Sequence, residues 1–172
     1  MYTLEFNDDE TLRALDRLSD GLGDLSIMMQ DVAEFLVTST KDRFGEGTAP
    51  DGTPWAPKSQ TTLDAYAARH DRVDARPLFG PSGMLSQRIF AETTADSVRW
   101  GSPMIYAAVM QFGAEQGEFG AFMGIDKRGR RHFHTIPWGD IPARPFLGLS
   151  ETDRDGITAI ANEYVEMLLQ GN

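Results

Sequence analysis

Apolar positions along this chain change period several times, and each change predicts an element. Residues 2–7 (YTLEFN) alternate apolar and polar, which predicts a short strand with Leu4 and Phe6 on one face. Asn7 or Asp8 can then cap a helix that carries Leu12, Leu15 and Leu18. Its first turn holds Asp8, Asp9 and Glu10, where the helix dipole favours negative charge, and Gly21 and Gly23 end it. A longer helix is expected from Asp24 to Phe44. Leu25, Met28, Met29, Val32, Phe35 and Leu36 recur at helical spacing, while Gln30, Asp31, Glu34 and Asp42 point outward. Such a stripe reads as a core face rather than a partner groove. Gly45 and Gly47 stop this helix.

Periodicity then lapses. The stretch from residue 45 (GEGTAPDGTPWAPKSQTTLDAY) holds three prolines and three glycines, with a turn at Asp51-Gly52 and one large anchor, Trp55. Ser59 can cap a short helix from Gln60 to about Ala68, and residues 69–83 are irregular. From Ser86 the run SQRIFAETTADSVRWGS predicts a hairpin turning at Ala95-Asp96. Pro103 suits the first turn of a helix with Met104, Ile105, Ala108, Val109 and Phe112 inward, closed by Gly113. A second hairpin should turn at residues 126–129. An extended segment with prolines at 137, 142 and 145 follows. A terminal helix, about Thr152 to Leu169, has Ile157, Ile160, Ala161, Tyr164, Val165 and Leu168 on one face. The expected class is α+β: a small antiparallel sheet packed against a long helix and a C-terminal helix, with long Pro/Gly-rich arms. We expect one domain over residues 1–172, with segments 45–58 and 113–148 as assembly arms.

Charge narrows the function classes. With 26 acidic and 16 basic side chains the net charge is −10, which repels a phosphate backbone but lets DNA slide past an acidic wall. The absence of cysteine excludes disulfides and thiolate metal sites. No window approaches the ~18 apolar residues of a membrane span. The first residues have neither a basic nor an apolar leader region, so a cytoplasmic start is expected.

Candidate chemistry is sparse. His132 and His134 alternate on an expected strand, but Lys127, Arg128, Arg130 and Arg131 around them would repel a dication. His70 with Asp71 and Asp74 could orient an imidazole, yet the available Ser82 lies in FGPSGML, which lacks the nucleophile-elbow spacing. Asp51 belongs first to a turn. The loop GAEQGEFGAFMG lacks the Lys-Ser/Thr of a phosphate-binding loop and is acidic. No catalytic residue, metal site or cofactor is expected, and the chain reads as a binding or assembly protein rather than an enzyme.

Four stretches, RFGEGTAPDGTPWAPKSQTTL, GPSGMLSQRI, VRWGSPMIYAAVMQFGAEQG and IPARPFLGLSETDRDGI, closely resemble the phage virion morphogenesis family. This is the Mu-like group related to tail-completion proteins of contractile-tailed phages. The resemblance covers roughly Arg43 to Ile157, and the run from Ile141 to Gly148 is its most specific part. Members commonly carry histidine before Gln-Phe-Gly; here Met110 stands there, so no catalytic or metal role is expected at that place.

The resemblance implies a structural protein of the virion tail or neck, assembled in the host bacterial cytoplasm. It would act at the head-proximal end of the tail, enabling head–tail joining. The alternative is a minor neck or tail-tube component that controls length without joining. Implied partners are further copies in a homo-oligomeric ring, six being one expectation, a head-completion or connector protein, and the tail tube protein. DNA would be only passing lumen content, and no membrane is involved. Subunit-contact candidates are Trp55, Tyr106, Phe112, Phe119, Phe122, Trp138 and Phe146 as anchors, an exposed Arg144, and the basic tip Lys127, Arg128, Arg130 and Arg131. Replacing those four basic residues with Glu should leave the monomer folded and block attachment; a normal phage yield from that variant refutes the expectation.

Overall fold

The computed structural model describes residues 9–116, 118, 121–125, 129, 131–135 and 140–171, with backbone only for 121–125 and 131–135. The expected strand at residues 2–7 and its capping residues therefore lie outside the described residues. The α+β class holds. In order the chain forms α1 (Asp9–Gly23), α2 (Ser26–Glu46), α3 (Gln60–Ala68), α4 (Met84–Gln87), β1 (Phe90–Thr93), β2 (Val98–Gly101), α5 (Ala107–Phe112), β3 (Ala121–Ile125), β4 (Arg131–Thr135) and α6 (Glu151–Gln170). Where one small sheet was expected, the strands pair as two separate antiparallel hairpins, β1–β2 and β3–β4. The turn at Ala95-Asp96 is as expected, closed by Thr94 N–H on Ser97 O.

Main-chain contacts divide the chain into two compact units. One comprises Met1–Ser39, Phe90–Gly101 and Leu149–Asn172. Here α1 packs on α6. Gly21 lets α1 approach closely, since a Cβ there would sit 2.4 Å from Leu168 Cδ2. The Tyr164 hydroxyl reaches Gly21 O (3.1 Å) and Asp24 O (3.2 Å), tying down the turn into α2. Arg17 donates to Leu168 O and Leu169 O, two carbonyls that the end of α6 would otherwise leave unpaired. The expected stripes of α2 and α6 hold: Val32 and Leu36 are buried, as is Tyr164. On α1 the outcome differs, because Leu12 and Leu15 are half exposed and only Leu18 turns partly inward.

The start of α6 is the tightest polar arrangement in this unit. Ser150 caps the helix: its Oγ accepts from Asp153 N while Asp153 Oδ2 accepts from Ser150 N (2.7 Å). The other carboxylate oxygen accepts from Ser39 Oγ at 2.5 Å, so a buried acid joins α6 to α2. At the other end of α2, Asp24 Oδ1 accepts from Ser26 Oγ and N, and those bonds hold its carboxyl below the ordinary carboxylate range.

The second unit comprises Thr40–Ile89 and Ser102–Gly148. Phe44, fully buried on the last turns of α2, is its centre. Its ring lies 5.5 Å from Trp55, 5.5 Å from Phe146 and 6.2 Å from Phe79, mostly edge to face. Leu78, Leu85 and Ile89 add apolar bulk. Ser59 caps α3 as expected. Two local expectations need correction. Ser86 and Gln87 finish a short helix instead of opening a strand, because Leu85 is drawn into the core and Gly83 turns left-handed before it. Pro103 lies in an irregular segment, and α5 begins only at Ala107.

Removing the α6 cap tests this account. Ser150→Ala should cost about 1 kcal/mol, roughly 2–4 °C of melting temperature for a chain of this size. Asp153→Ala should cost more, since it removes the bond from Ser39 Oγ as well as its part of the cap. Equal effects of the two substitutions in thermal denaturation would remove Ser39–Asp153 as a stabilising link.

Candidate assembly interface

The larger part of the motifs that carry the family resemblance, residues 43–63, 80–89, 102–117 and 141–148, falls in the second unit, and there several of them meet. Among the described residues, the segment from Ile141 to Gly148, hereafter the strap, has no strand partner beyond the single bridge Ala114↔Ile141. Its main-chain groups are instead taken by side chains. Arg43 donates to Phe146 O (3.3 Å) and Gly148 O (3.0 Å). Trp55 Nε1 donates to Pro145 O at 2.8 Å. Gln111 serves both sexes of the backbone: its Oε1 accepts from Phe146 N and Leu147 N, and its Nε2 donates to Leu147 O, all at 3.0 Å.

Arg144 works in the opposite direction, from the strap outward. It donates to Ala56 O (2.6 Å), Pro57 O (2.9 Å) and Pro142 O (3.4 Å). Burial lowers the proton affinity of its guanidinium, yet an arginine stays charged at any pH where a protein folds. Its hydrogen-bond partners are all carbonyl oxygens. A planar fork that matches several carbonyls at once is the reason for arginine here rather than lysine.

Proline explains why side chains must do this. Segments 50–57 and 142–145 contain five prolines, each without an N–H, so a regular ladder cannot form. The preceding loop closes on itself as well: Ala49 N bonds Thr53 O, Trp55 N bonds Gly47 O, and Asp51 Oδ1 accepts from Thr53 N. Lys58 then pins the irregular segment after α3 by donating to Asp74 O and Phe79 O, and burial pushes its ammonium down. Arg76 stacks 3.6 Å over the Phe79 ring while binding Asp74, which pulls the Asp74 carboxyl well below the usual range.

These contacts correct the expected subunit anchors. Trp55, Arg144 and Phe146 are buried in their own chain, Arg144 at 7% exposure and Phe146 at 0%. The expectation of an exposed Arg144 fails because three carbonyls of proline-bearing segments need its donors. Segment 45–58 is likewise folded down within its unit rather than standing off as an arm.

The exposed candidates lie on α5 and the turn before it, where Ile105, Ala108 and Phe112 face outward instead of inward as expected. Ala107 is buried and Gln111 turns toward the strap, whereas Ile105 is 96% and Phe112 78% exposed, with Ala108 exposed between them. Tyr106 borders the same side and is also exposed. Two constraints fix this rotation. Gln111 makes its three strap bonds, and Arg144 N donates to Met110 O at 2.8 Å. Gly113 then adopts φ +78°, and a Cβ there would lie 2.7 Å from Ile141 O, so only glycine permits this exit.

Of the remaining candidates, Phe122 and Arg131 sit in β3 and β4, paired with His134 and Ile125 respectively. Phe119, Lys127, Arg128, Arg130 and Trp138 lie outside the described residues. His132 and His134 occupy alternate positions of β4, and no group of three metal-ligating side chains occurs among the described residues. His70 follows the end of α3 in a left-handed turn, and Ser82 Oγ accepts from Met84 N; no hydrogen bond joins them among the described residues. A shallow depression lined by Lys41, Asp42, Gly45, Glu46, Phe79, Ser86 and Gln87 carries mixed charge.

Arg43 and Gln111 stand in the stretches that carry the family resemblance, but neither they nor Lys58 are among the contact candidates read from sequence. The signal existed for Gln111, a polar residue closing an apolar helical run, but its partners are 35 and 36 residues away.

A small α+β chain thus holds its irregular segments by side-chain hydrogen bonds and turns an apolar stripe outward. Residues 6–166 match the model of the phage virion morphogenesis family, and the chain belongs to that family. It acts in assembly of the phage virion. No curated protein and no solved structure matches it. Among the described residues no helix is long and apolar enough to cross a membrane.

Gln111→Ala strands two N–H groups and a carbonyl, and should cost about 2–4 kcal/mol in denaturant unfolding. Phe112→Ser should stay within about 0.5 kcal/mol, as for other exposed sites. The reverse ranking would show that α5 is turned the other way.

Proposed function

We propose that this protein completes the head-proximal end of the phage tail, or sits in the neck, and makes tails competent to join filled heads as a ring. The observation that carries the reading is the outward apolar stripe of α5 in a member of a virion-assembly family. A soluble chain that turns a glutamine inward and a phenylalanine outward gains nothing from it alone, but gains a contact when copies or partners meet. A ring requires heterologous contacts, in which a projection of one copy meets a different surface on the next. The net charge of −10 suits a lumen through which DNA passes without adhering. Since 45–58 and the strap are folded inward, we confine the assembly arm to the region around the β3–β4 hairpin.

Deleting the gene and imaging the lysate by negative-stain electron microscopy tests this. Filled heads beside separate tails of normal length are the expected result. Overlong or missing tails with normal heads would make the protein a length-setting or tube component instead. Intact infectious particles would remove the assembly role at this joint altogether.

A further inference from the structure

The hairpin β1–β2 has an open edge on either side. Its strands pair one to one from Phe90↔Gly101 to Thr93↔Val98, and no third strand lies along them. Antiparallel pairs alternate between residues that exchange main-chain bonds and residues that do not. Thr94 N donates to Ser97 O at 2.9 Å, which makes that a bonded pair, and the alternation makes Glu92 and Arg99 bonded as well. The main-chain groups of Ala91 and Thr93 therefore point away from β2, and those of Val98 and Trp100 point away from β1. Among the described residues no hydrogen bond reaches any of these outward groups.

The strands are short, and a lone hairpin of this length is marginal in water. Neither strand holds a proline or a bulge that would bar a further strand. The turn is tied to the start of α2 by Leu25 N on Ala95 O at 3.2 Å, a bond that leaves both edges open.

Side chains select the occupant. By alternation Phe90 and Glu92 share a face with Arg99, and all three are exposed, whereas Ala91, Val98 and Trp100 on the other face are half-buried. Among the described residues neither the Glu92 nor the Arg99 side chain makes a hydrogen bond or an ion pair. So β1 offers an open edge with an acid, and β2 an open edge with a base. Pairing two β1 edges about their bonding groups sets Glu92 against Glu92, and pairing two β2 edges sets Arg99 against Arg99. Like charges directly opposite weaken such pairs. Pairing β2 with β1 of another molecule instead joins Trp100 to Ala91 and Val98 to Thr93 through the main chain. Arg99 and Glu92 then face each other as a non-bonded pair, the closer kind, with Cα atoms about 4.5 Å apart. The two outer edges of one hairpin lie on opposite sides and cannot meet, so this pairing needs a second molecule.

We propose that the open edge of β2 takes β1 from a second copy of this chain, antiparallel, with Arg99 of one copy opposite Glu92 of the other. The contact is heterologous, and it repeats from copy to copy because each offers one of each edge. It rests on the ring reading above and names the surface that joins neighbours.

Sedimentation velocity of the full chain over a concentration series tests the contact. Reversible association is expected, and with it slower deuterium exchange at the amides of Ala91, Thr93, Val98 and Trp100. Glu92→Arg alone, or Arg99→Glu alone, makes the facing charges alike and should weaken association about tenfold. Both positions are exposed, so each variant should keep its melting temperature. Mixed in equal amounts, the two variants should associate as the unchanged chain does, because each supplies the charge that the other lacks. Thr93→Pro removes an outward N–H and no ladder bond, and should abolish association in a chain that still folds. A chain that stays monomeric at every concentration overturns the inference, as does association that survives Thr93→Pro or that leaves exchange at those amides unchanged. A mixture of the charge variants that associates no better than either alone removes the pairing of Arg99 with Glu92. Phage carrying Thr93→Pro separate the two levels: normal particles from that variant, beside joining-defective particles from the deletion, overturn this contact and leave the tail-completion reading standing.

Discussion

Hydrogen bonds from side chains to the main chain of proline-bearing segments are what the second unit depends on. Arg43, Trp55, Gln111 and Arg144 supply donors and acceptors where prolines prevent a ladder. Each such bond is worth only about 1 kcal/mol when made, but an unmade one in a buried place costs more. The aromatic cluster around Phe44 follows from this bonding, because Trp55 and Phe146 reach it only when the strap and the Pro/Gly loop are closed down. So does the direction of α5. Gln111 can satisfy the strap in one rotation of the helix, and that rotation sends Phe112 outward.

The first unit solves a similar problem with different means. Its elements are regular, and its polar side chains act at helix ends: Asp153 and Ser150 at the start of α6, Arg17 at its finish, Tyr164 at the α1–α2 turn. Polar groups there cap ladders that already exist. In the second unit they stand in for ladders that cannot form.

Much of the fold was legible in the sequence where one period ran long enough to decide. The six apolar positions from Leu25 to Leu36 leave little choice of face for α2, and Ser59 marks the start of α3 to the residue. The face of α5 was not legible. A six-residue helix and its entering turn, apolar nearly all round, offer two stripes, Met104-Ala107-Met110 and Ile105-Ala108-Phe112, and periodicity alone weighs them equally. The choice is made by a strap about 35 residues later in the chain. The same holds for Trp55 and Phe146. Aromatic residues between prolines look like arms for a neighbour until the buried donors that hold them down are seen. The family motifs were readable as strings, but their convergence on one node was not, since the spacing between them carries no period.

The distances along the chain between those partners have a kinetic consequence. Arg43 meets Phe146 and Gly148 across 103 and 105 residues, Trp55 meets Pro145 across 90, and Arg144 meets Ala56 across 88. In the first unit Arg17 meets Leu169 across 152. A growing chain on the ribosome therefore cannot close either unit until its last quarter has emerged, and loops this long close late and slowly. Until then Phe44 and Trp55 lack the Phe146 side of their cluster, and α5 lacks the strap that sets its rotation. A prematurely terminated chain would leave both surfaces misformed, so only full-length molecules can present the stripe in register for assembly.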